Sequence, residues 1–191
     1  MHKGILTAIV LIPLAHTGYD SGIYAGLLHP VLGIDHLLAM VTVGLLSAQL
    51  GGRAIWTVPA AFVSVMAVGG LLGLAGISIP LVEYGIAFSV VALGVALAAR
   101  RQIPVLLAMA FVGLFALFHG HAHGTELPNV SDTVLQVAAY VFGFLVATAG
   151  LHLIGALIGQ MAVGNPRGAN ILRFSGAAIA VMGVFIVFGA L

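Results

Sequence analysis

What most restricts this chain is the length of its apolar runs. Stretches near 22–50, 56–77, 82–99, 103–120, 133–158 and 170–191 each approach or exceed the roughly 20 residues that cross a bilayer core as a helix. They are parted only by short breaks: GGRAI, SIP, RRQIP, HGTELPNVSD and VGNPRG. Of the residues, 62% are hydrophobic and 6% charged, against roughly 25% charged in a soluble domain. Such a chain cannot cover a surface facing water. The expected fold is all-α, a polytopic membrane helix bundle of six core spans.

Charge placement sets the orientation. Arg53, Arg100, Arg101, Arg167 and Arg173 fall in or beside alternate breaks, whereas Asp20, Glu83, Glu126 and Asp132 fall at the other side. By the positive-inside rule the arginine side is cytoplasmic, which puts the C-terminus in the periplasm of a bacterial inner-membrane protein. The net charge of +1 leaves no surface for nucleic acid and no polybasic patch, so lipid is the expected surrounding. With no cysteine there is no thiolate site, and with Lys3 the one lysine there is no Walker A loop.

Residues 1–15, MHKGILTAIVLIPLA, have a basic start, a short apolar centre and an alanine at the end, as a signal peptide does. Pro13 occupies a position that prefers a small residue. Cleavage after Ala15 would leave His16 first, with an amine and an imidazole to offer a metal; retention would make a seventh span. Residues 16–191 form a single transmembrane transport domain on this reading. The 26 glycines, in runs such as GGLLGLAG, suit close helix–helix packing in lipid.

Polar side chains inside these spans carry the functional signal. In LLHPVLGIDHLLAM, His29, Asp35 and His36 sit around Pro30 and Gly33. A straight helix would hold the two imidazoles about 10.5 Å apart along its axis, too far for one ion with metal–nitrogen bonds of about 2 Å. A first core helix broken at Pro30–Gly33 would let His29 fold back toward Asp35 and His36. The expected course is a short helix to about His29, an irregular turn, and a helix from about Asp35. A carboxylate at this depth costs about 2.5–3.5 kcal/mol and needs a cation or a hydrogen-bond donor. Capping of the second helix piece is the alternative use for Asp35. Met40, one turn beyond His36, suits packing better than ligation.

The second constellation is FHGHAHGTELP. His119 and His123 share a helical face, with Glu126 close behind, while His121 points elsewhere unless Gly120 and Gly124 unwind the segment. Asp132 suits a helix N-terminus. Counted from the arginine side, His36 lies about 21 Å up and His119 about 24 Å up, so the two groups reach one level in the outer membrane. His152, on the fifth span, has three readings: an exit-side ligand, a proton acceptor, or a hydrogen-bond partner of a neighbouring helix.

These two motifs, with His29, Pro30, Gly33, Asp35, His36 and Ala39 in the first and His119, Gly120, Ala122, His123, Gly124, Glu126 and Pro128 in the second, resemble the HupE/UreJ family of nickel and cobalt permeases. The resemblance extends over the core from about His16 to Leu191 in length and span order. It implies secondary transport of Ni²⁺ or Co²⁺, often serving hydrogenase or urease maturation, and no organic cofactor. His29, Asp35, His36, His119, His123 and Glu126 carry over as metal-binding residues; His121 lies outside the family pattern. Imidazole ligands without thiolates agree with borderline divalent metals. A non-transporting metal-binding accessory or chaperone protein is the other reading. A membrane metalloenzyme would call for a HExxH helix or a richer histidine set, which the chain lacks. Nickel against cobalt, and the oligomeric state, stay open at this level.

Overall fold

The computed structural model describes residues 22–130 and 133–189, apart from the side chains of 128–130. The expectations for residues 1–15, His16 and Asp132 lie outside the described residues. Seven helices follow in order: α1 (Gly22–Leu32), α2 (Ile34–Leu50), α3 (Ala54–Leu74), α4 (Val82–Ala99), α5 (Val105–Val130), α6 (Val134–Val163) and α7 (Pro166–Val187). Helices α3 to α7 are each long and apolar enough to cross a membrane, and α1 with α2, bent by 79° at their junction, pass the same test together, as a broken span or a re-entrant loop does. The exterior is apolar, with Trp56, Leu71, Phe88, Phe174 and Phe185 exposed, as a lipid-facing surface requires.

The expected break falls within Pro30–Gly33 but is narrower than the sequence suggests. Helix α1 runs through Pro30, and the chain turns at one residue, Gly33, with φ −78° and ψ 112°. Helix α2 then begins with the Leu37 N–H donating to the Gly33 carbonyl at 2.8 Å. A Cβ here would stand 3.1 Å from His36 Nδ1 and 3.2 Å from Asp35 Oδ1, tight contacts with two side chains, while the backbone angles are open to any residue.

Helix α5 also differs from expectation. It continues past His119 through the whole histidine tract, which is helical and not unwound. Its glycines serve packing, since a Cβ on Gly120 would meet the Met66 carbonyl and one on Gly124 the Gly70 carbonyl, both on α3. The same device joins α2 to α6 through Gly44 and Gly155, and α4 to α7 through Gly94 and Gly176. The last two helices start at side-chain caps. Thr133 accepts from the Gln136 N–H at 3.3 Å, and Asn165 Oδ1 accepts from the Gly168 N–H at 2.7 Å, with Pro166 following.

Helix α2 is central: every residue from Thr42 to Gln49 is buried. Its N-terminus, carrying Asp35 and His36, meets the C-terminal half of α5 inside the bundle. That meeting lies at the end opposite Arg53 and Arg100, which flank the starts of α3 and α5.

Candidate metal site

At the bend, Asp35 sits in the first turn of α2, where the exposed N–H groups favour a carboxylate. Its Oδ1 accepts from the His36 backbone N–H at 2.7 Å and lies 2.7 Å from His36 Nδ1. An ionised carboxylate only accepts, so His36 Nδ1 carries a proton. On the other side of the ring, His36 Nε2 and His123 Nε2 share a hydrogen bond at 2.8 Å, whose direction follows the tautomers of the two rings.

The other nitrogen of His123, Nδ1, lies 3.5 Å from Glu126 Oε2. His29 Nε2 stands 4.0 Å from the same oxygen. One ligand atom each from His29, His123 and Glu126 lie within 4.8 Å of one another. Two imidazoles and a carboxylate at this spacing are a set that could hold a metal ion.

His119 lies one turn deeper and is fully buried, its ring centroid 4.7 Å from that of His36. Ser89 on α4 gives its hydroxyl proton to the Ile86 carbonyl at 2.6 Å, so its oxygen accepts from His119 Nε2–H at 3.0 Å. His119 Nδ1 is then a free base with no partner. The cluster has an exposed end and a buried end: the side chains of Glu126 and His29 are 56% and 37% exposed, those of His36 and His123 10% and 6%. Phe144 and Tyr140 of α6 wall the site, Phe144 lying 4.2 Å from His123 between ring centroids. Beside His123 is a cavity of about 210 Å³ between α3, α5 and α6.

Of the residues singled out from sequence, the structure brings together His29, Asp35, His36, His119, His123 and Glu126. His121 stands apart, its Nε2–H donating to the Ile77 carbonyl at 2.7 Å and so tying α5 to the turn after α3. Met40 is buried in the apolar core. His152 lies deeper, against Phe62, with 5.0 Å between ring centroids. Sequence reasoning passed over Ser89; a lone hydroxyl inside the apolar run 82–99 was the available signal. It also passed over Phe144 and Tyr140, which look like ordinary lipid-span residues until α6 is placed.

Comparison with known proteins agrees with the geometry. The family described as HupE / UreJ protein matches residues 5–186. Protein HupE of Rhizobium leguminosarum bv. viciae is 45% identical over 183 residues, covering 95% of this chain and 93% of that protein. No solved structure matches the chain. Carrying both histidine motifs on one bent-helix bundle, and matched over nearly its whole length, the chain belongs to the HupE/UreJ family.

Proposed function

We propose that this protein is a permease that takes a borderline divalent cation, Ni²⁺ or Co²⁺, from the periplasm into the cytoplasm. The observation that carries the reading is that His123 addresses two ligand groups at once. Its Nδ1 faces His29 and Glu126, while its Nε2 faces His36.

The ion first collects at His29, His123 Nδ1 and Glu126, the exposed end of the cluster. It then passes to the Nε2 side, between His123 and His36. Two nitrogens bound at about 2.1 Å to one ion, at right angles, lie about 3 Å apart; these two stand 2.8 Å apart without one. With the ion on Nε2, the ring proton of His123 sits on Nδ1 and faces Glu126. Each imidazole then has a carboxylate behind it, Asp35 for His36 and Glu126 for His123, which orients the ring and raises its basicity.

Charge balance supports a divalent ion. The carboxylates of Asp35 and Glu126 offset two positive charges, which lowers the cost of holding the ion in a poorly solvated place. The energy for entry is available from the membrane. Two charges moving inward gain about 4.6 kcal/mol per 100 mV, a roughly two-thousandfold accumulation without ATP.

Purified protein in liposomes with an inside-negative potential, given external Ni²⁺ or Co²⁺, tests this. Metal should accumulate inside, collapse of the potential should abolish accumulation, and Asp35→Asn should remove it. Tight binding with no accumulation would instead make the protein a metal-binding accessory.

A further inference from the structure

At the arginine end of the bundle, opposite the metal site, α4 and α7 cross in backbone contact. A Cβ on Gly176 would stand 2.6 Å from the Ala98 nitrogen, and one on Gly94 2.5 Å from the Ala180 nitrogen. Residue numbers rise on one helix as they fall on the other, so the pair is antiparallel and its levels are fixed. At 1.5 Å per residue, Arg173 lies about 4.5 Å beyond Gly176, and Arg100 about 3 Å beyond Ala98, toward the same end. The two arginines stand at one level.

Beside this contact the two helices leave a groove of about 720 Å³, headed by Arg173 and walled by Val95, Ala98, Phe174, Ala177 and Ala180. It opens sideways onto the lipid-facing surface, where Val95 and Phe174 are exposed. A smaller pocket of about 120 Å³ adjoins it, lined by Gln49, Arg100, Gln102 and Leu172; Arg100 and Leu172 are chain neighbours of the groove residues Ala99 and Arg173. Gln49 is 9% exposed, and neither atom of its side-chain amide has a partner. Among the described residues no carboxylate pairs with Arg100 or Arg173. Asp35 and Glu83 stand in the first turns of α2 and α4, and Glu126 in the second half of α5, all at the other end. Two guanidinium groups at the head of an apolar groove call for an anion.

We infer that the α4–α7 groove is a binding site for one acidic phospholipid, with its phosphate between Arg100 and Arg173, its headgroup at Gln49 and Gln102, and an acyl chain along Ala98, Ala177 and Ala180. The groove has the matching order: cationic and amide groups at the arginine end, then an apolar track from Arg173 to Ala180, about 10.5 Å toward the membrane centre. A free phosphate would answer the arginines and leave the track empty. A second copy of the chain would fill the track but bring arginines to arginines, with no carboxylate at this end to meet them. By the positive-inside rule the lipid belongs to the cytoplasmic leaflet. The site lies apart from the metal cluster and does not depend on the permease reading.

Native mass spectrometry of the full chain in neutral detergent, titrated with phosphatidylglycerol or with phosphatidylcholine of the same acyl chains, tests this. One phosphatidylglycerol should bind per chain, preferred over phosphatidylcholine by roughly 25-fold, and Arg173→Gln and Arg100→Gln should each cut that preference about fivefold. Arg173→Lys, which keeps the charge, should retain most of it, and Arg53→Gln, at the same end but outside the groove, should leave it unchanged. Glycerol 3-phosphate, which lacks acyl chains, should not displace the lipid. Circular dichroism checks that each variant is folded; should Arg173→Gln fail to fold, Arg100→Gln carries the comparison. Equal binding of the two lipids, or a preference that survives the arginine substitutions, would overturn the site. So would a dimer that forms without lipid and comes apart in Ala177→Trp, which would give the groove to a second copy.

Discussion

His36 and His123, 87 residues apart in the chain, meet Nε2 to Nε2 at 2.8 Å. One nitrogen is on the first turn of α2 and the other in the C-terminal half of α5, so the contact depends on both the bend at Gly33 and the packing of α5 on α3. If one ion takes both nitrogens, the two side chains act as a unit. His36→Ala and His123→Ala should each weaken Ni²⁺ binding by a factor of about 100, and the double variant should be little worse than either. Isothermal titration of the three variants measures this. Strictly additive losses would mean that the two rings serve different ions.

Asp35 acts on the ion through His36, since its Oδ1 is engaged by the His36 backbone and ring N–H groups. Asp35→Asn keeps an acceptor but removes the charge that balances the cation and makes His36 more basic. Metal affinity should fall about 10–100-fold, and uptake with it, while the fold persists because the Asn Oδ1 can still accept from the His36 backbone N–H. Circular dichroism alongside titration checks both halves. Unchanged affinity would remove Asp35 from the site.

A third expectation concerns pH. An imidazole must be unprotonated to hold a metal, and an ordinary histidine gains its proton below about pH 6.5. Protonation makes histidine a competitor of the cation, so lowering the pH removes binding and raising it restores binding. Uptake into liposomes should therefore be high at pH 7–8 and weaken below about pH 6. A flat profile from pH 5 to 8, with the membrane potential held constant, would count against imidazole ligation.

Much of this architecture is legible in local sequence, and what is not has a physical cause. Span lengths follow from hydropathy, and the common depth of His36 and His119 follows from counting residues at 1.5 Å each. Which residue breaks the first span depends on more than intrinsic preference: Pro30 is tolerated in the short α1, and the turn falls at Gly33, just before Asp35 and His36. Gly120 and Gly124 could unwind a helix as readily as pack one; the α3 backbone decides in favour of packing. His121 shows the same dependence, because its partner is a carbonyl 44 residues away. Ser89 and Phe62 belong to helices whose neighbours no local pattern reveals.

The glycine contacts yield a prediction with its own control. Gly124 lies next to His123 in α5, and a Cβ there would drive into the Gly70 carbonyl and stand 3.0 Å from Gly70 Cα. Backbone cannot move aside as a flexible side chain can, so Gly124→Ala must push α5 away from α3 and take His123 with it. The cost should be about 1–3 kcal/mol of stability, typical of overpacking, together with weaker Ni²⁺ binding as the His36–His123 contact opens. Gly150, on the α6 helix, meets nothing within 4 Å of a built Cβ. Gly150→Ala should therefore stabilise the protein by about 0.5–1 kcal/mol, the ordinary gain of alanine over glycine inside a helix, and leave metal affinity alone. Thermal unfolding in detergent and Ni²⁺ titration of both variants make the comparison. If Gly124→Ala behaves like Gly150→Ala, backbone contact between α3 and α5 is not what positions the site.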